Sequence, residues 1–418
     1  MSHIAIVGAG IAGVTTAYAL LDRGHKVTVL DRHRYPAMET SFANGGQLSA
    51  CNAEAWNSTS TILKGLRWMF RRDAPLLMNP KPSWHKYSWM GEFVSNIRNY
   101  RQHTIETTRL AIAARRRLFE LAERENIAFD LERRGILHIY HDKAAFEAAG
   151  TVNQLLWEGG LERRAVSPEE IRAIEPTLQS ACYGGFFTPS DATGDIHKFT
   201  RGLTEACIRR GAHFIQDADV DQIWHVSQGL SVDFTEVTDK AGQRASSRQS
   251  LRPDAIVVCA GVASRAFAAM LGDRLNVYPV KGYSITVPLD TIESQDAAPR
   301  VSLLDEAAKI VSSRLGDDRL RVAGTAEFNG FNRDIRADRI SPLTDWVRRH
   351  FSGIETSAAV PWAGLRPMMP GMMPVVRAGA RPGVFYNTGH GHLGWTLCTA
   401  TAEMVSGIID QQLQPSAS

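Results

Sequence analysis

The sequence predicts an α/β fold, with a discontinuous Rossmann-like dinucleotide-binding domain and an inserted α+β cap domain built on an antiparallel sheet. Three observations support this prediction. An apolar strand pattern at His3 to Val7 runs directly into a glycine-rich turn and a helix. Residues Asp254 to Cys259 form a continuous apolar run, which is typical of a buried parallel strand. From Tyr278 to Val322, short β-rich runs alternate with turn residues, which is typical of an antiparallel sheet.

The N-terminal segment contains each part of a dinucleotide-binding βαβ unit in the expected order. Gly8 makes the tight turn after the strand, Gly10 lets a pyrophosphate approach the backbone, and Gly13 lets the helix pack closely on the strand. The helix N-terminus offers free N–H groups and a partial positive charge to phosphates. We therefore expect this turn to bind the cofactor through Gly8, Gly10, Ile11, Ala12 and Gly13.

The second strand of this unit, Lys26 to Leu30, ends on an acidic residue. Asp31 is placed to accept hydrogen bonds from the ribose hydroxyls of an adenosine, and its charge would repel a 2′-phosphate. Arg32 follows it and completes this part of the candidate cofactor site. The cofactor is therefore expected to be FAD or NAD rather than NADP.

Composition and spacing argue against several classes of protein. The 418 residues carry a net charge of +3 without a long Lys/Arg block, which gives no support for nucleic-acid binding. No run of about 18 apolar residues predicts a transmembrane helix. The first strand begins close to Met1, so we expect no signal peptide and a cytoplasmic location. The five cysteines lack CxxC or CxxH spacing, so we expect neither a metal site nor a disulfide framework.

Helical spacing of apolar residues recurs along the rest of the chain. It predicts helices at Thr107 to Asn126, Lys143 to Glu158, Asp195 to Arg210 and Leu397 to Ile409. In the first of these, Arg115, Arg116 and Arg117 lie mostly outside the apolar stripe. We expect this arginine triplet to form a solvent-exposed face.

A second cluster of glycines, Gly389 to Gly394, connects a short strand to the last helix and is a second potential anion or dipole site. This pattern predicts that the nucleotide-binding domain is assembled from both ends of the chain. We expect it to comprise residues 1–55, 195–275 and 362–418, and we expect the cap domain to comprise residues 56–194 and 276–361.

Five segments occur in an order that resembles one family. They are the N-terminal fingerprint, Glu39 to Ser49 (ETSFANGGQLS), Tyr278 to Ser284 (YPVKGYS), Gly364 to Pro367 (GLRP) and Asn387 to Thr396 (NTGHGHLGWT). Over nearly the whole chain they resemble the bacterial quinone-linked D-amino acid dehydrogenases, flavoproteins of the D-amino acid oxidase group. Two positions depart from the family pattern. Phe42 stands where a small residue is common, and His392 stands where a small hydroxyl residue is common.

This resemblance implies a cofactor, a substrate class and an electron acceptor. The cofactor would be tightly bound FAD. The substrate would be a D-amino acid or a cyclic relative such as D-proline or hydroxyproline, oxidised to the imino acid and then, unless the amine is cyclic, to the 2-oxo acid. The electrons would pass to a membrane quinone.

The protein's task in such a reaction is to fix a carboxylate and a neutral amine. Arg366 is the first candidate for a bidentate carboxylate clamp, mainly from the resemblance. Tyr283 could orient the substrate through its hydroxyl, although a tyrosine in a strand is more often a packing residue. His390 and His392 flank Gly391 near the expected flavin ring, and either could polarise the substrate or accept its ammonium proton. Satisfying backbone groups is the alternative role for these histidines.

Further candidate cofactor residues lie in three segments. The loop after Asp31 contributes Thr40, Ser41, Asn44, Gly45, Gly46, Gln47 and Leu48. Ala260 and Gly261 end a buried strand, where a small residue lets the flavin approach. The C-terminal part contributes Gly364, Gly389, His390, Gly391, Leu393, Gly394, Trp395 and Thr396.

The segment Ile62 to Phe70 places apolar and basic side chains on opposite faces of a short helix, a pattern typical of an interfacial helix. With the resemblance, it predicts peripheral association with the cytoplasmic face of the inner membrane. A helix packed on the core is the alternative. Three other functions stay open: an oxygen-using amino acid oxidase, the flavin subunit of a heteromeric amine dehydrogenase, and an inactive flavin-binding relay subunit. An NAD dehydrogenase is least favoured, because the second glycine cluster would have no task in it.

Overall fold

The computed structural model describes residues 1–59, 61–62, 75–226, 229–240 and 243–413. The predicted interfacial segment, Ile62 to Phe70, lies outside these residues apart from Ile62. In the part of the chain that is described, no helix is long and apolar enough to cross a membrane.

A sheet of six described strands forms the first layer. Its strands are β1 (His3–Val7), β2 (Lys26–Leu30), β9 (His213–Ile215), β13 (Ala255–Val258), β19 (Val375–Ala378) and β20 (Val384–Thr388). Their order is β19-β20-β13-β1-β2-β9, and β1 pairs in parallel with both β2 and β13. Because both faces of the central strands are covered, β13 is apolar throughout and β1 is apolar after His3, as the run at 254–259 predicts.

Helices cover one face of this sheet. They are α1 (Ile11–Asp22), α3 (Tyr100–Glu125), α6 (Ile196–Arg209) and α10 (Gly394–Leu413). A three-stranded antiparallel sheet, which the sequence did not predict, covers the other face with β10 (Ala218–Val226), β11 (Gly229–Lys240) and β12 (Gln243–Leu251). Val232 and Phe234 of β11 share an apolar cluster with Val7 and Val258. In an open parallel sheet a ligand binds beyond the carboxyl ends of the strands, which here are the ends of β1 and β13.

The second layer is a mixed sheet of nine strands within the described residues. Its strands are β4 (Leu76–Met78), β5 (Ile136–Tyr140), β6 (Arg164–Val166), β7 (Gly184–Thr188), β14 (Tyr278–Pro288), β15 (Ser302–Asp305), β16 (Ile310–Leu315), β17 (Arg319–Phe328) and β18 (Val360–Met368). Strand β14 pairs with β17 and β18 in antiparallel register. A short pair, β3 (Gln47–Leu48) with β8 (Ala192–Thr193), connects the two layers.

All but one of the remaining described helices lie around the second sheet. They are α2 (Trp84–Ser95), α4 (Lys143–Glu158), α5 (Pro168–Ile174), α8 (Ile292–Ala297) and α9 (Ala337–His350). Helix α7 (Ser264–Met270) instead packs on β10 and β13 of the first layer. Predicted helix positions agree with α3, α4, α6 and α10, although α3 begins seven residues before the predicted Thr107.

Strand β18 shows where the expected domain division differs from the observed sheets. The sequence assigned residues from 362 onward to the nucleotide-binding domain, whereas residues up to Met368 hydrogen-bond to β14 in the second sheet. The reason is the register: Arg366 pairs with Val280 and Gly364 pairs with Gly282. The strand that carries the candidate carboxylate clamp therefore belongs to the cap.

The arginine triplet on α3 is not uniformly exposed, so that expectation was wrong for one member. Arg115 is buried and forms an ion pair with the fully buried carboxylate of Asp191, whereas Arg116 is exposed. Asp191 also accepts hydrogen bonds from the backbone N–H groups of Ala50 and Cys51 at 3.1 and 2.9 Å. An inward-facing partner carboxylate, invisible in helical spacing, accounts for the buried arginine.

Replacing Arg115 with alanine is expected to lower the free energy of unfolding by about 3–5 kcal/mol, because the Asp191 charge stays buried without its partner. Arg116→Ala, one position along the same helix, should change it by less than about 0.5 kcal/mol. Urea unfolding followed by tryptophan fluorescence measures both variants. Equal midpoints for the two would contradict the assignment of a buried ion pair.

Candidate active site

The glycine turn after β1 leaves no room for side chains at two of its positions. A Cβ at Gly8 would lie 2.7 Å from the carbonyl oxygen of Cys259, and a Cβ at Gly13 would overlap the carbonyl of Gly8. Gly8 has a φ of +106°, which other residues rarely adopt. At Gly10, by contrast, the space is open apart from Ser41, so a phosphate can approach the start of α1. Ala260 and Gly261 lie beside Gly8, at the carboxyl end of β13.

Asp31 and Ser41 hold this turn in shape. One oxygen of Asp31 accepts a hydrogen bond from the N–H of Ala9 at 2.6 Å, and the other accepts one from the N–H of His33 at 2.8 Å. Ser41 Oγ accepts from the N–H of Ile11 at 3.0 Å. Burial raises the pKa of Asp31. Arg32 is directed away and pairs with Glu39.

The loop from Thr40 to Leu48 runs from the start of α1 to the cap sheet. Gly45 and Gly46 pack closely on Val311 and Ser313 of β16, and Ser313 Oγ donates to the carbonyl of Gly45 at 2.7 Å. Asn44 Oδ1 accepts from the N–H of Gly46 at 2.9 Å, which fixes the bend. The Gln47 amide donates to Ser302 Oγ and to the carbonyl of Leu303. Leu48 is fully buried.

The second glycine turn, between β20 and α10, also meets the cap. Gly391 has a φ of +59° and donates its N–H to the carbonyl of Pro367 at 2.9 Å, next to Arg366. Thr396 Oγ1 accepts from the N–H of Ser49 at 3.2 Å. Gly389 packs against Met369, and Leu393 and Trp395 are buried, the indole N–H of Trp395 without a hydrogen-bond partner among the described residues. The second glycine turn, like the loop from Thr40 to Leu48, therefore reaches the cap.

Arg366 lies on β18 with its guanidinium against Gly282 of the neighbouring strand. A Cβ at Gly282 would overlap the guanidinium carbon. Among the described residues no carboxylate pairs with Arg366, and its single hydrogen bond goes to the carbonyl of Thr325 at 3.3 Å. Desolvation lowers the pKa of Arg366 to about 10. A guanidinium with five donors and one weak partner is suited to bind a carboxylate.

Gly364 lies on the same strand, directly opposite Gly282. Its side-chain space is filled by the ring of Trp362. The structure therefore places this candidate cofactor residue within the cap sheet beside the Arg366 site.

Tyr283, predicted to orient the substrate, lies in the cap core and away from the Arg366 guanidinium. Neighbouring residues of a strand point to opposite faces, so Gly282 faces Arg366 while Tyr283 faces the other side of the sheet. Its side chain is 1% exposed in the cap core, and its hydroxyl donates to Glu327 at 2.6 Å. Glu327 is also paired with the buried Lys281 at 3.0 Å. Tyr283 is a core residue with a satisfied hydroxyl.

The two candidate histidines have different surroundings. His390 Nε2 hydrogen-bonds Thr401 of α10 at 3.0 Å, so this ring anchors the turn to the helix. His392 stacks on Trp56 with ring centroids 4.6 Å apart, and its Nε2 lies 3.2 Å from the carbonyl of Asn52. A carbonyl only accepts, so Nε2 carries the proton. Nδ1 is then a bare acceptor, buried and without a hydrogen-bond partner among the described residues.

Charge also separates His392 from His390. Burial lowers the pKa of both rings to about 4, and for His392 the nearby positive charge of Arg366 contributes to the same direction. His392 is therefore neutral at neutral pH and lies close to the guanidinium. Its free Nδ1 can accept a hydrogen bond from a substrate amine.

Several residues around the site were missed by sequence reasoning. They are Asp191, Cys51, Glu54, His138, Glu306, Lys309 and Thr325. Cys51 and His138 are 3.1 Å apart, between Sγ and Nε2, and they come from opposite layers. Among these residues, Thr325 and Lys309 have a distinguishing feature, a left-handed φ of +55° in a residue other than glycine. This backbone angle is visible in the structure and not in the sequence.

The comparisons with known proteins agree with this architecture. The chain matches the FAD-dependent oxidoreductase family over residues 3–408 and belongs to that family. The enzyme class is therefore an FAD-dependent oxidoreductase. The open space at Gly10, the exclusion of side chains at Gly8 and Gly13, and the free acceptor of His392 fit a dinucleotide and its flavin between the layers.

Within this family the chain is similar to proteins named D-amino acid dehydrogenase. D-amino acid dehydrogenase 3 from Mesorhizobium japonicum is 62% identical over 99% of this chain and 98% of that protein. D-amino acid dehydrogenase from Paramagnetospirillum magneticum is 40% identical over 99% and 96%. Among solved structures, glycine oxidase from Bacillus cereus has a TM-score of 0.74 at 17% identity, covering 99% of this chain and 96% of that one. That similarity concerns the fold.

Buried neutral histidines give the fold a defined pH dependence. Burial lowers the pKa of His390 and His392 to about 4, below the ordinary value of 6.5. Between these two values the unfolded chain binds more protons than the folded chain, so stability should fall as the pH decreases through this window. We expect a lower urea midpoint at pH 5 than at pH 7. A smaller difference is expected for His390→Asn, and identical midpoints for the wild type would contradict the burial.

Proposed function

We propose that the protein oxidises D-amino acids, with Arg366 as the carboxylate-binding residue. The observation that carries the proposal is this partly buried guanidinium, which has no carboxylate partner among the described residues. It lies next to Pro367, whose carbonyl accepts the N–H of Gly391 in the second glycine turn. The names of the relatives support the substrate class. When bound, FAD supplies the acceptor for the hydride that leaves the Cα of the substrate.

The residues of the chain fix the substrate in place. Arg366 binds the carboxylate through two parallel N–H···O bonds, and Gly282 gives the guanidinium a flat support. The neutral His392 accepts a hydrogen bond from the amine through Nδ1. With a pKa of about 4, His392 is too weak a base to remove the ammonium proton efficiently at neutral pH, so it orients the amine after that proton has left.

The cofactor residues are part of the same proposal. The turn from Gly8 to Gly13 and Ser41 would hold the pyrophosphate, and Asp31 would hold the adenosine ribose while it braces Ala9. The loop from Asn44 to Leu48 and the turn from Gly389 to Thr396 would enclose the flavin between the two layers.

The proposal predicts that D-amino acids bleach the flavin of the purified protein without oxygen and that Arg366→Lys binds them more weakly. Lysine keeps the charge but lacks the planar fork, so we expect the apparent KM to rise by about tenfold or more with the flavin retained. Stopped-flow absorbance in an anaerobic cuvette measures both. Arg348→Lys, an exposed position on α9, is the control.

The result also separates the alternatives. Peroxide formed at the rate of dye reduction would favour an oxidase. Bleaching of the flavin in the isolated chain would exclude a flavin subunit that is active only within a heteromeric amine dehydrogenase. If no D-, L- or cyclic amino acid reduces the flavin, the proposed function is wrong and a relay role remains.

We further propose that the electrons pass to a quinone at a membrane surface. Three exposed aromatic residues lie on two neighbouring segments: Trp84 and Tyr87 on α2, and Phe331 after β17. The loops that carry them are joined by a hydrogen bond of 2.6 Å between Asn79 and Asn329. This surface follows the predicted interfacial segment along the chain, and aromatic side chains favour the membrane interface.

Anaerobic mixing tests this acceptor. Reduced enzyme should be reoxidised faster by a short-chain ubiquinone than by air-saturated buffer, and vesicles containing anionic lipid should sediment the wild type more than Trp84→Ser/Phe331→Ser. Trp157→Ser removes an equally large exposed aromatic residue elsewhere and should sediment like the wild type. Oxygen reacting faster than the quinone would contradict the acceptor.

A further inference from the structure

The turn that joins β15 to β16, residues Glu306 to Lys309, lies next to the Arg366 site. Ile310 pairs with Gly324, so the following pair across these strands is Lys309 and Thr325. A Cβ at Gly324 would lie 3.1 Å from the carbonyl oxygen of Lys309, so the backbone of β17 and the turn before β16 are in contact at this point. The carbonyl of Thr325 is the group that accepts the hydrogen bond from Arg366. The backbone of Lys309 is therefore separated from the Arg366 guanidinium by one residue, Thr325 of the neighbouring strand.

Lys309 has a left-handed backbone conformation, which glycine and asparagine adopt more readily than lysine. Its φ is +55°, a conformation that the end of a short hairpin loop requires and that glycine or asparagine adopts at lower cost. The side chain of Lys309 is 46% exposed and pairs with Glu306 of the same turn. The turn therefore presents a positioned ammonium group in spite of the unfavourable φ.

The ammonium of Lys309 keeps donors available. Its hydrogen bond among the described residues is to the carboxylate of Glu306, and a lysine ammonium has three donors. Glu306 is in turn held by His138 Nδ1 at 3.2 Å. These two contacts fix the ion pair on the cap side and leave further N–H groups of Lys309 free to bind a ligand.

Thr325 provides a second polar group at the same place. It is 7% exposed, its φ is +55°, and its hydroxyl has no hydrogen-bond partner among the described residues. A β-branched residue in this conformation is strained, and a buried hydroxyl without a partner is costly. A ligand bound next to Arg366 would give the hydroxyl its hydrogen-bond partner and would account for the strained backbone that positions it.

The loop from Cys51 to Trp56 faces this turn from the other layer. His138 Nε2 lies 3.1 Å from Cys51 Sγ, and the carboxyl group of Glu54 is close enough to Lys309 for electrostatic attraction. Trp56, two residues after Glu54, stacks on His392. The Arg366 site thus has an amine-binding side at His392 and a charged, polar side at Lys309.

We propose that Lys309, held by Glu306, is a specificity-determining residue that donates a hydrogen bond to an oxygen atom on the substrate side chain. Thr325 Oγ1 supplies a second contact. The preferred substrates are then D-amino acids, open or cyclic, whose side chain carries a hydroxyl or carbonyl oxygen. This inference rests on the proposed function and deepens it.

Matched substrate pairs test the inference. D-serine against D-alanine, and 4-hydroxy-D-proline against D-proline, differ by one hydroxyl. The wild type should favour the hydroxylated member of at least one pair in kcat/KM. In Lys309→Met that preference should fall by about tenfold to a hundredfold, since a hydrogen bond to a charged group contributes about 1.5–3 kcal/mol. The value for the plain member should stay within about twofold.

Controls separate this role from a structural one. Lys309→Arg keeps a donor and should keep the preference, and Lys143→Met removes an exposed lysine and should change nothing. Thr325→Val keeps the shape, loses the hydroxyl, and should weaken the preference in part. Flavin content and urea midpoint show that each variant is folded. Equal losses for both members of a pair, or no loss, in Lys309→Met overturn the inference.

A binding experiment distinguishes failure of this inference from failure of the proposed function. Butyrate and 4-hydroxybutyrate are carboxylates that perturb the flavin spectrum on binding without being oxidised as amines. Lys309→Met should lose the preference for 4-hydroxybutyrate while keeping its affinity for butyrate. This result would support the subsite even if no amino acid reduced the flavin. An unchanged ratio of the two affinities overturns the subsite whatever the substrate.

Discussion

The arrangement of the site depends on one buried carboxylate. Asp191 accepts hydrogen bonds from two consecutive backbone N–H groups, of Ala50 and Cys51, and pairs with Arg115 of α3. Burial raises the pKa of Asp191, and the Arg115 charge and the two N–H donors oppose that rise. The loop that it holds continues to Trp56 and carries the groups that contact His392 and His138. The carboxylate therefore fixes the start of the loop that contacts both of these histidines.

Alternation along a strand decides which residues reach the substrate. Gly282 and Tyr283 are neighbours in sequence, but one supports the Arg366 guanidinium and the other lies in the cap core. The same rule places Ser284, whose hydroxyl donates to the carbonyl of Ala43 at 2.8 Å, on the face toward the nucleotide layer. A sheet with a polar functional face and an apolar core face can therefore hold both a binding site and a stable interior.

Much of the fold was accessible from sequence because its signals are local. The glycine turn, the acidic end of β2 and the helical stripes of α3, α4, α6 and α10 depend on residues within one or two turns of each other. The three-stranded sheet of β10 to β12 was missed, since its outer strand is rich in polar residues and lacks an apolar alternation. The expected domain boundary at residue 362 differs from the observed sheets because β18 pairs with β14, a strand about 80 residues earlier in the chain. No local signal predicts such a pairing.

The spacing of Gly8, Gly10, Gly13 and Asp31 determined a dinucleotide, FAD or NAD, from sequence alone. The resemblance added FAD and the choice of Arg366. Only the tertiary structure decided the surroundings of these residues. It placed Tyr283 on the core face of the cap sheet, left His392 Nδ1 without a hydrogen-bond partner in the part of the chain that is described, and buried Arg115 against Asp191. It also set the turn at Lys309 beside Gly324 and its neighbour Thr325. The physical reason is that burial, strand facing and ion pairing arise from contacts between distant segments, whereas turns and helices are specified by neighbouring residues.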